Sequence, residues 1–173
     1  MRTFILLFIL FIPSPKTTPI IEEKIIVVKE EVEEIKGMNE FLYAMGHQES
    51  GNRYFVVNRF GYMGKYQFGK STLRTLKIKV TKEAFLNSPD LQEYAMQQNL
   101  LYNKKKLQKY IDRFDGCLID GMLITESGIL AAAHLGGPGS VKKYFRSGKI
   151  AKDGNGVKIT NYMQRFSGYE LYL

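Results

Sequence analysis

His47-Gln48-Glu49-Ser50-Gly51-Asn52, followed after a short gap by Gly64-Lys65-Tyr66-Gln67-Phe68-Gly69, is the stretch whose reading decides the fold. Just upstream, Phe41, Leu42 and Met45 ahead of Gly46 predict a helix that carries Glu49 near its C-terminal end. Residues 52–65 are rich in Gly, Asn and aromatics, which suits a loop or a short hairpin. A carboxylic acid is thereby set at a helix end, opposite a Gly/Gln/aromatic segment. No Asp or Glu occurs between Glu49 and Glu83, so no second carboxylate follows it closely.

Outward from this stretch the signals are mostly helical. Residues 71–76 read as a helix start with Ser71 as a cap, and Asn87-Ser88-Pro89-Asp90 opens a longer helix. Along that helix Leu91, Tyr94, Ala95, Gln98, Leu101 and Tyr102 keep an i, i+3, i+4, i+7 rhythm to about Tyr110. Thr125-Glu126-Ser127 caps a helix over 128–135 that ends at Gly136-Gly137-Pro138-Gly139, and 140–145 is a short helix. Gly154-Asn155-Gly156 is a turn, and a last segment holds Thr160, Tyr162 and Phe166. No internal repeat is visible. The expected fold class is mainly α (α+β), with a small irregular or β element after the Glu49 helix.

Composition narrows the chemistry. A chain of 173 residues with 45% hydrophobic content is about one domain with a sizeable core. Trp is absent, but 11 Tyr and 11 Phe supply aromatic bulk, and Met63, Met96 and Met122 are core candidates. The single Cys117 rules out an intrachain disulfide, and Cys117, His47 and His134 lack the spacing of metal ligands. No metal and no cofactor is therefore expected. Gly136 to Gly139 lacks the Gly-Lys-Ser/Thr ending of a phosphate loop.

The net charge of +8 is uneven: residues 1–40 hold five Lys/Arg against seven Asp/Glu, and residues 41–173 hold twenty against ten. The basic part favours polyanions such as nucleic acid, an anionic membrane or a bacterial envelope. Specific nucleic-acid binding is not expected, for want of a recognition helix or zinc motif. Lys104-Lys105-Lys106 reads as a solvated helix face.

At the N-terminus, Met1-Arg2-Thr3 precedes nine unbroken apolar residues, 4–12, and a Pro-rich break follows at 13–19. This matches the n- and h-regions of a secretory signal and falls short of the roughly 20 residues a spanning helix needs. No Ala occurs before residue 44, so a small-x-small cleavage site is missing. Residues 1–19 are read as a signal peptide or an N-terminal membrane anchor. Residues 20–37 are read as a charged linker helix with Ile21, Ile25, Val28, Val32 and Ile35 on one seam, and residues 38–173 as the domain.

Four segments in order, the last more loosely, resemble the lysozyme-like lytic transglycosylase superfamily. Glu49-Ser50-Gly51 matches its Glu-Ser opening, and Gly64 to Phe68 matches its Gly-x-x-Gln-Phe segment as found in phage-type relatives. Ala133-His134-Leu135-Gly136-Gly137 matches its Ala-Tyr-Asn-x-Gly segment in frame, and Thr160-Asn161-Tyr162 loosely matches a late Thr-x-x-Tyr segment. The resemblance covers roughly residues 38–165. Two positions depart from the pattern, since the family's Tyr and Asn are His134 and Leu135 here.

The resemblance implies a lysozyme-like fold and cleavage of the β-1,4 bond between N-acetylmuramic acid and N-acetylglucosamine in peptidoglycan. Glu49 would be the sole acid/base, the sugar's own groups completing the reaction to leave a 1,6-anhydro end. Such an acid works near neutral pH where an apolar wall raises its proton affinity, and Phe41, Met45, Tyr54, Tyr66 and Phe68 are the wall candidates. Ser50, Gly64, Tyr66, Gln67, Phe68, His134 and Tyr162 are the candidate substrate-binding residues. Ser50 is a candidate either to brace the carboxylate or to satisfy a turn, and His134 reads as a packing histidine rather than a base. A hydrolytic muramidase and a non-catalytic wall-binding or virion module are the alternatives. Glu126, in a second Glu-Ser-Gly triplet, reads instead as a helix N-terminal carboxylate. The implied partner is the peptidoglycan glycan strand, with the apolar N-terminus as a candidate membrane contact. The implied location is the periplasm or envelope, exported, anchored or carried on a virion.

Overall fold

Helix α1 (Met38–Ser50) begins where the Glu40 carboxylate accepts the backbone N–H of Gly37 at 3.0 Å, and it ends at Gly51 in the left-handed conformation (φ 67). The computed structural model describes residues 36–173. The signal or anchor over 1–19 and nearly all of the linker helix over 20–37 lie outside the described residues. Lys36 pairs with Tyr169 in a parallel bridge, and its carbonyl accepts Glu170 N–H at 2.8 Å.

After α1 come α2 (Lys70–Thr75), α3 (Lys82–Leu86), the long α4 (Pro89–Phe114), α5 (Glu126–Ser147) and α6 (Ile159–Arg165). Among the described residues the class is mainly α with one small antiparallel sheet. That sheet is β1 (Leu118–Ile119) paired with β2 (Met122–Leu123), and it stands between α4 and α5. Its turn is Asp120-Gly121, both at positive φ, as a tight two-residue hairpin demands. The β element expected after Glu49 is thus only isolated bridges, Val57 with Met63 and Met63 with Phe68. Helix α3, capped by Thr81, was not anticipated, and Ser71 lies inside α2 while Gly69 holds the cap position.

Helix α4 has Ser88 as its cap and Pro89 at its first position, as the sequence indicates. Its buried stripe is Gln92, Ala95, Met96, Asn99, Leu100, Asn103, Leu107 and Ile111, whereas Tyr94 and Leu101 are exposed. The apolar rhythm alone therefore misplaces the inward face. Three polar residues lie on that face because each finds hydrogen-bond partners, which removes the usual cost of burying them.

Helix α5 is broken at Gly137 (φ 75, ψ 159), one residue before Pro138, so its first half ends where the sequence reading ended it. Its buried face, Ser127 to Ala133, packs against α6. Close approach depends on Gly128, where an added Cβ would lie 2.3 Å from the Met163 carbonyl oxygen. Phe41, Met45, Met96, Leu100, Ile129, Leu130, Met163 and Phe166 are among the residues of the common core. Among the described residues, no helix is long and apolar enough to cross a membrane.

Candidate active site

The last turn of α1, the 52–69 segment, the first half of α5, the 151–158 loop and α6 enclose a cavity of about 320 Å³. Gln48, Glu49, His134, Leu135 and Tyr162 line it from the helices, and Gln67 from the 64–69 segment. Asn58, Phe60 and Tyr62 form one wall, and Asp153, Gly154, Asn155 and Val157 the other. The side chain of Glu49 is 13% exposed, and its Oε1 accepts the Tyr162 hydroxyl at 2.7 Å. Burial, and then the adjoining Glu49 carboxylate, push the Tyr162 phenol well above the ordinary tyrosine range. Tyr162 therefore remains a proton-bearing donor to Glu49 at any physiological pH.

His134 lies beneath the same carboxylate. Its Nε2 is 2.9 Å from the Tyr66 carbonyl and 3.9 Å from Glu49 Oε1. A carbonyl only accepts, so Nε2 carries the hydrogen. Nδ1 stands 3.3 Å from the Asn99 side-chain oxygen, and that oxygen accepts from Asn103 Nδ2 at 3.0 Å. The ring meets Phe68 edge-on at 5.5 Å. His134 thus joins α5 to α4 and to the Gly-x-x-Gln segment while bordering the acid.

The 64–69 segment is fixed from below. Gly64 has φ 75, and an added Cβ there would meet Gln92 Oε1 at 2.0 Å. Gln92, fully buried, accepts Lys65 N–H at 2.8 Å and donates to the carbonyls of Phe85 and Tyr54. Beside it Glu93 accepts from Tyr54 Oη and Tyr66 Oη at 2.6 Å each and from Lys65 Nζ at 2.7 Å. Burial pushes the Glu93 carboxyl up, and hydrogen bonds from Lys65, Tyr54 and Tyr66 outweigh that, leaving it below the usual carboxylate range. Gln67, at φ 52, donates to the Gly64 carbonyl at 2.9 Å while its residue lines the cavity.

Several site expectations change. Tyr66 is fully buried with its hydroxyl on Glu93, so it supports the cleft from beneath rather than meeting a ligand. Tyr54 is likewise committed to Glu93 and is no wall for Glu49. Ser50 does not brace the carboxylate: its Oγ donates to the Lys65 carbonyl at 2.9 Å and accepts Arg53 N–H at 2.9 Å, tying α1 to the 64–69 segment. Gly64 meets Gln92, and Phe68 is 1% exposed against His134 and Phe85. Phe41 and Met45 are core residues. The residues around Glu49 in the cavity are instead Tyr162, His134, Leu135, Phe60, Tyr62 and Val157.

Glu49 is also not without company. Asp153 lines the same cavity, although its Oδ1 is engaged by the N–H groups of Asn155 and Val157. Glu126 stands elsewhere, in the first turn of α5, paired with Lys104 at 2.8 Å, with Thr125 as the cap proper. Among the described residues, no group of three or more His, Cys, Asp or Glu side chains is placed to hold a metal.

The 52–62 wall and the 153–157 loop were missed by sequence reasoning. Asn58 is a local signal that was available, since its Oδ1 accepts the N–H groups of Phe60 and Tyr62 and builds the turn that presents both rings. Compared with known proteins, the chain matches no family model, no curated protein and no solved structure.

Proposed function

We propose that the chain is a peptidoglycan-cleaving lytic transglycosylase of lysozyme-like fold, with Glu49 as acid and then base. The observation that carries this reading is the Glu49–Tyr162 hydrogen bond inside a cavity that Gln67 and His134 also line. A carboxyl held by a neutral phenol, mostly shielded from water, is oriented to hand a proton to a glycosidic oxygen. As the leaving sugar departs, positive charge grows at C1, and the resulting Glu49 carboxylate takes a proton from the hydroxyl that attacks it. With the sugar's own 6-hydroxyl as nucleophile the product is a 1,6-anhydro end. Phe60 and Tyr62 offer aromatic faces to the pyranose rings, and Gln67 and Asn58 offer amides to acetamido groups.

Asp153 favours a second reading, hydrolysis. A second carboxylate lining the cavity is the kind of group an inverting enzyme uses as a water-directing base. The two readings part at the product, which mass spectrometry of fragments released from purified peptidoglycan distinguishes. Anhydro ends support the transglycosylase, and reducing ends support the muramidase. Release of nothing by the full chain would favour a wall-binding or virion module that keeps the fold. In the first two readings the N-terminal apolar segment exports or anchors the enzyme where the wall is, and the basic domain is drawn to an anionic envelope.

A further inference from the structure

The two walls of the Glu49 cavity touch each other. Arg59 Nη2 donates to Asn155 Oδ1 at 2.7 Å, joining segments 96 residues apart. Beside this bond the Phe60 ring lies against Gly154, where an added Cβ would stand 3.4 Å from the ring. A second cavity of about 290 Å³, lined by hydroxyl and amide groups including Thr72 and Asn103, shares Tyr62, Gln67, His134 and Leu135 with the first. The two cavities thus border the same four side chains, as neighbouring lobes of the surface. Glu49, Tyr162 and the bridge lie in one lobe, while the other lobe leads away between α2, α4 and Pro138.

We infer that these lobes admit glycan chains by a terminus, with the Arg59–Asn155 and Phe60–Gly154 bridge excluding chain interiors from Glu49. This rests on the peptidoglycan-cleaving reading and adds to it the form of substrate attacked. A bridge standing at the end of the lobe stops a chain after a few sugars. A bridge standing over the lobe makes a passage that a chain must thread. In both geometries a terminus enters and an interior segment does not. Gly154 permits the contact because it has no side chain to hold Phe60 away, and Asp153 builds the turn that sets Asn155 in place.

The test uses the full-length protein on uncrosslinked glycan strands freed of peptides, labelled at one terminus, with product sizes separated early in the digest. Small fragments appearing first, while long strands shorten gradually, is the expected result. Arg59→Ala and Asn155→Ala, both at the exposed bridge, are expected to raise the share of mid-length early products severalfold. Mid-length products from the wild type at the outset overturn the inference and leave the cleavage reading intact. Terminal cleavage that persists unchanged in both variants overturns the role given to the bridge. No cleavage of any strand by the wild type removes the underlying reading and this inference with it.

Discussion

Tyr162 donates its hydroxyl hydrogen to Glu49 Oε1 at 2.7 Å, joining the late helix α6 to the end of α1 across 113 residues. The contact exists because Gly128 lets α6 lie directly on α5, and because the phenol stays protonated. In Tyr162→Phe the ring still fills its buried place, but Glu49 loses its donor. Cleavage should fall by roughly 10- to 100-fold, equivalent to about 1.4–2.7 kcal/mol of barrier, with little change in Tm. Initial rates of peptidoglycan clearing beside thermal melts check this. An unchanged rate would mean that Tyr162 only packs.

Gly64→Ala should destabilise the protein by about 3 kcal/mol, combining a left-handed backbone with displacement of Gln92. Gly139→Ala, at a position with open space and no positive φ, should change stability by less than about 0.5 kcal/mol. Urea melts of the two variants make the comparison, and equal midpoints would contradict the account of Gln92 as the prop beneath the segment.

Glu93→Gln removes the charge that holds Tyr54, Tyr66 and Lys65 together. The Glu93 carboxyl is held below its unfolded value of about 4.3, so its stabilisation is fully present above that pH. It is lost as pH falls through the lower folded value. Wild type should exceed the variant by about 1–2 kcal/mol at pH 7, a modest figure because Glu93 is partly exposed. The gap should close progressively below about pH 4. A gap independent of pH would assign the effect to packing.

Asp153→Asn keeps an oxygen for the N–H groups of Asn155 and Val157 and removes only the charge. On the transglycosylase reading the fragments keep anhydro ends and the rate changes less than about threefold, under 1 kcal/mol. A loss of roughly 100-fold or more, with reducing ends in the wild type, would make Asp153 the water-directing base.

Much of the helical frame is legible locally. Ser88-Pro89 and Thr125 announce their helices by capping chemistry, and Gly137-Pro138 announces the break in α5. The Asp120-Gly121 hairpin carries an equally local signal, an Asp-Gly pair suited to positive φ. The inward face of α4 does not follow from periodicity, because Gln92 and Asn99 are buried through partners on other elements and Asn103 through Asn99 one turn away. At the site, Glu49, Gln67, His134 and Tyr162 stand out in the sequence, and they line one cavity. Ser50 and Tyr66 read as ligand contacts in the sequence because nothing local reveals that the Lys65 carbonyl and Glu93 engage their hydroxyls. Asp153 and Asn155 become part of the cleft only through the packing of α6 on α5, so no reading of their neighbours finds them.

The most direct measurement is the release of soluble muropeptides from purified peptidoglycan by full-length wild type, Glu49→Gln and Glu126→Gln, with folding of each checked by its melt. The account predicts anhydro-ended fragments from wild type and Glu126→Gln, and none from a folded Glu49→Gln. Fragments released by Glu49→Gln at the wild-type rate would contradict it.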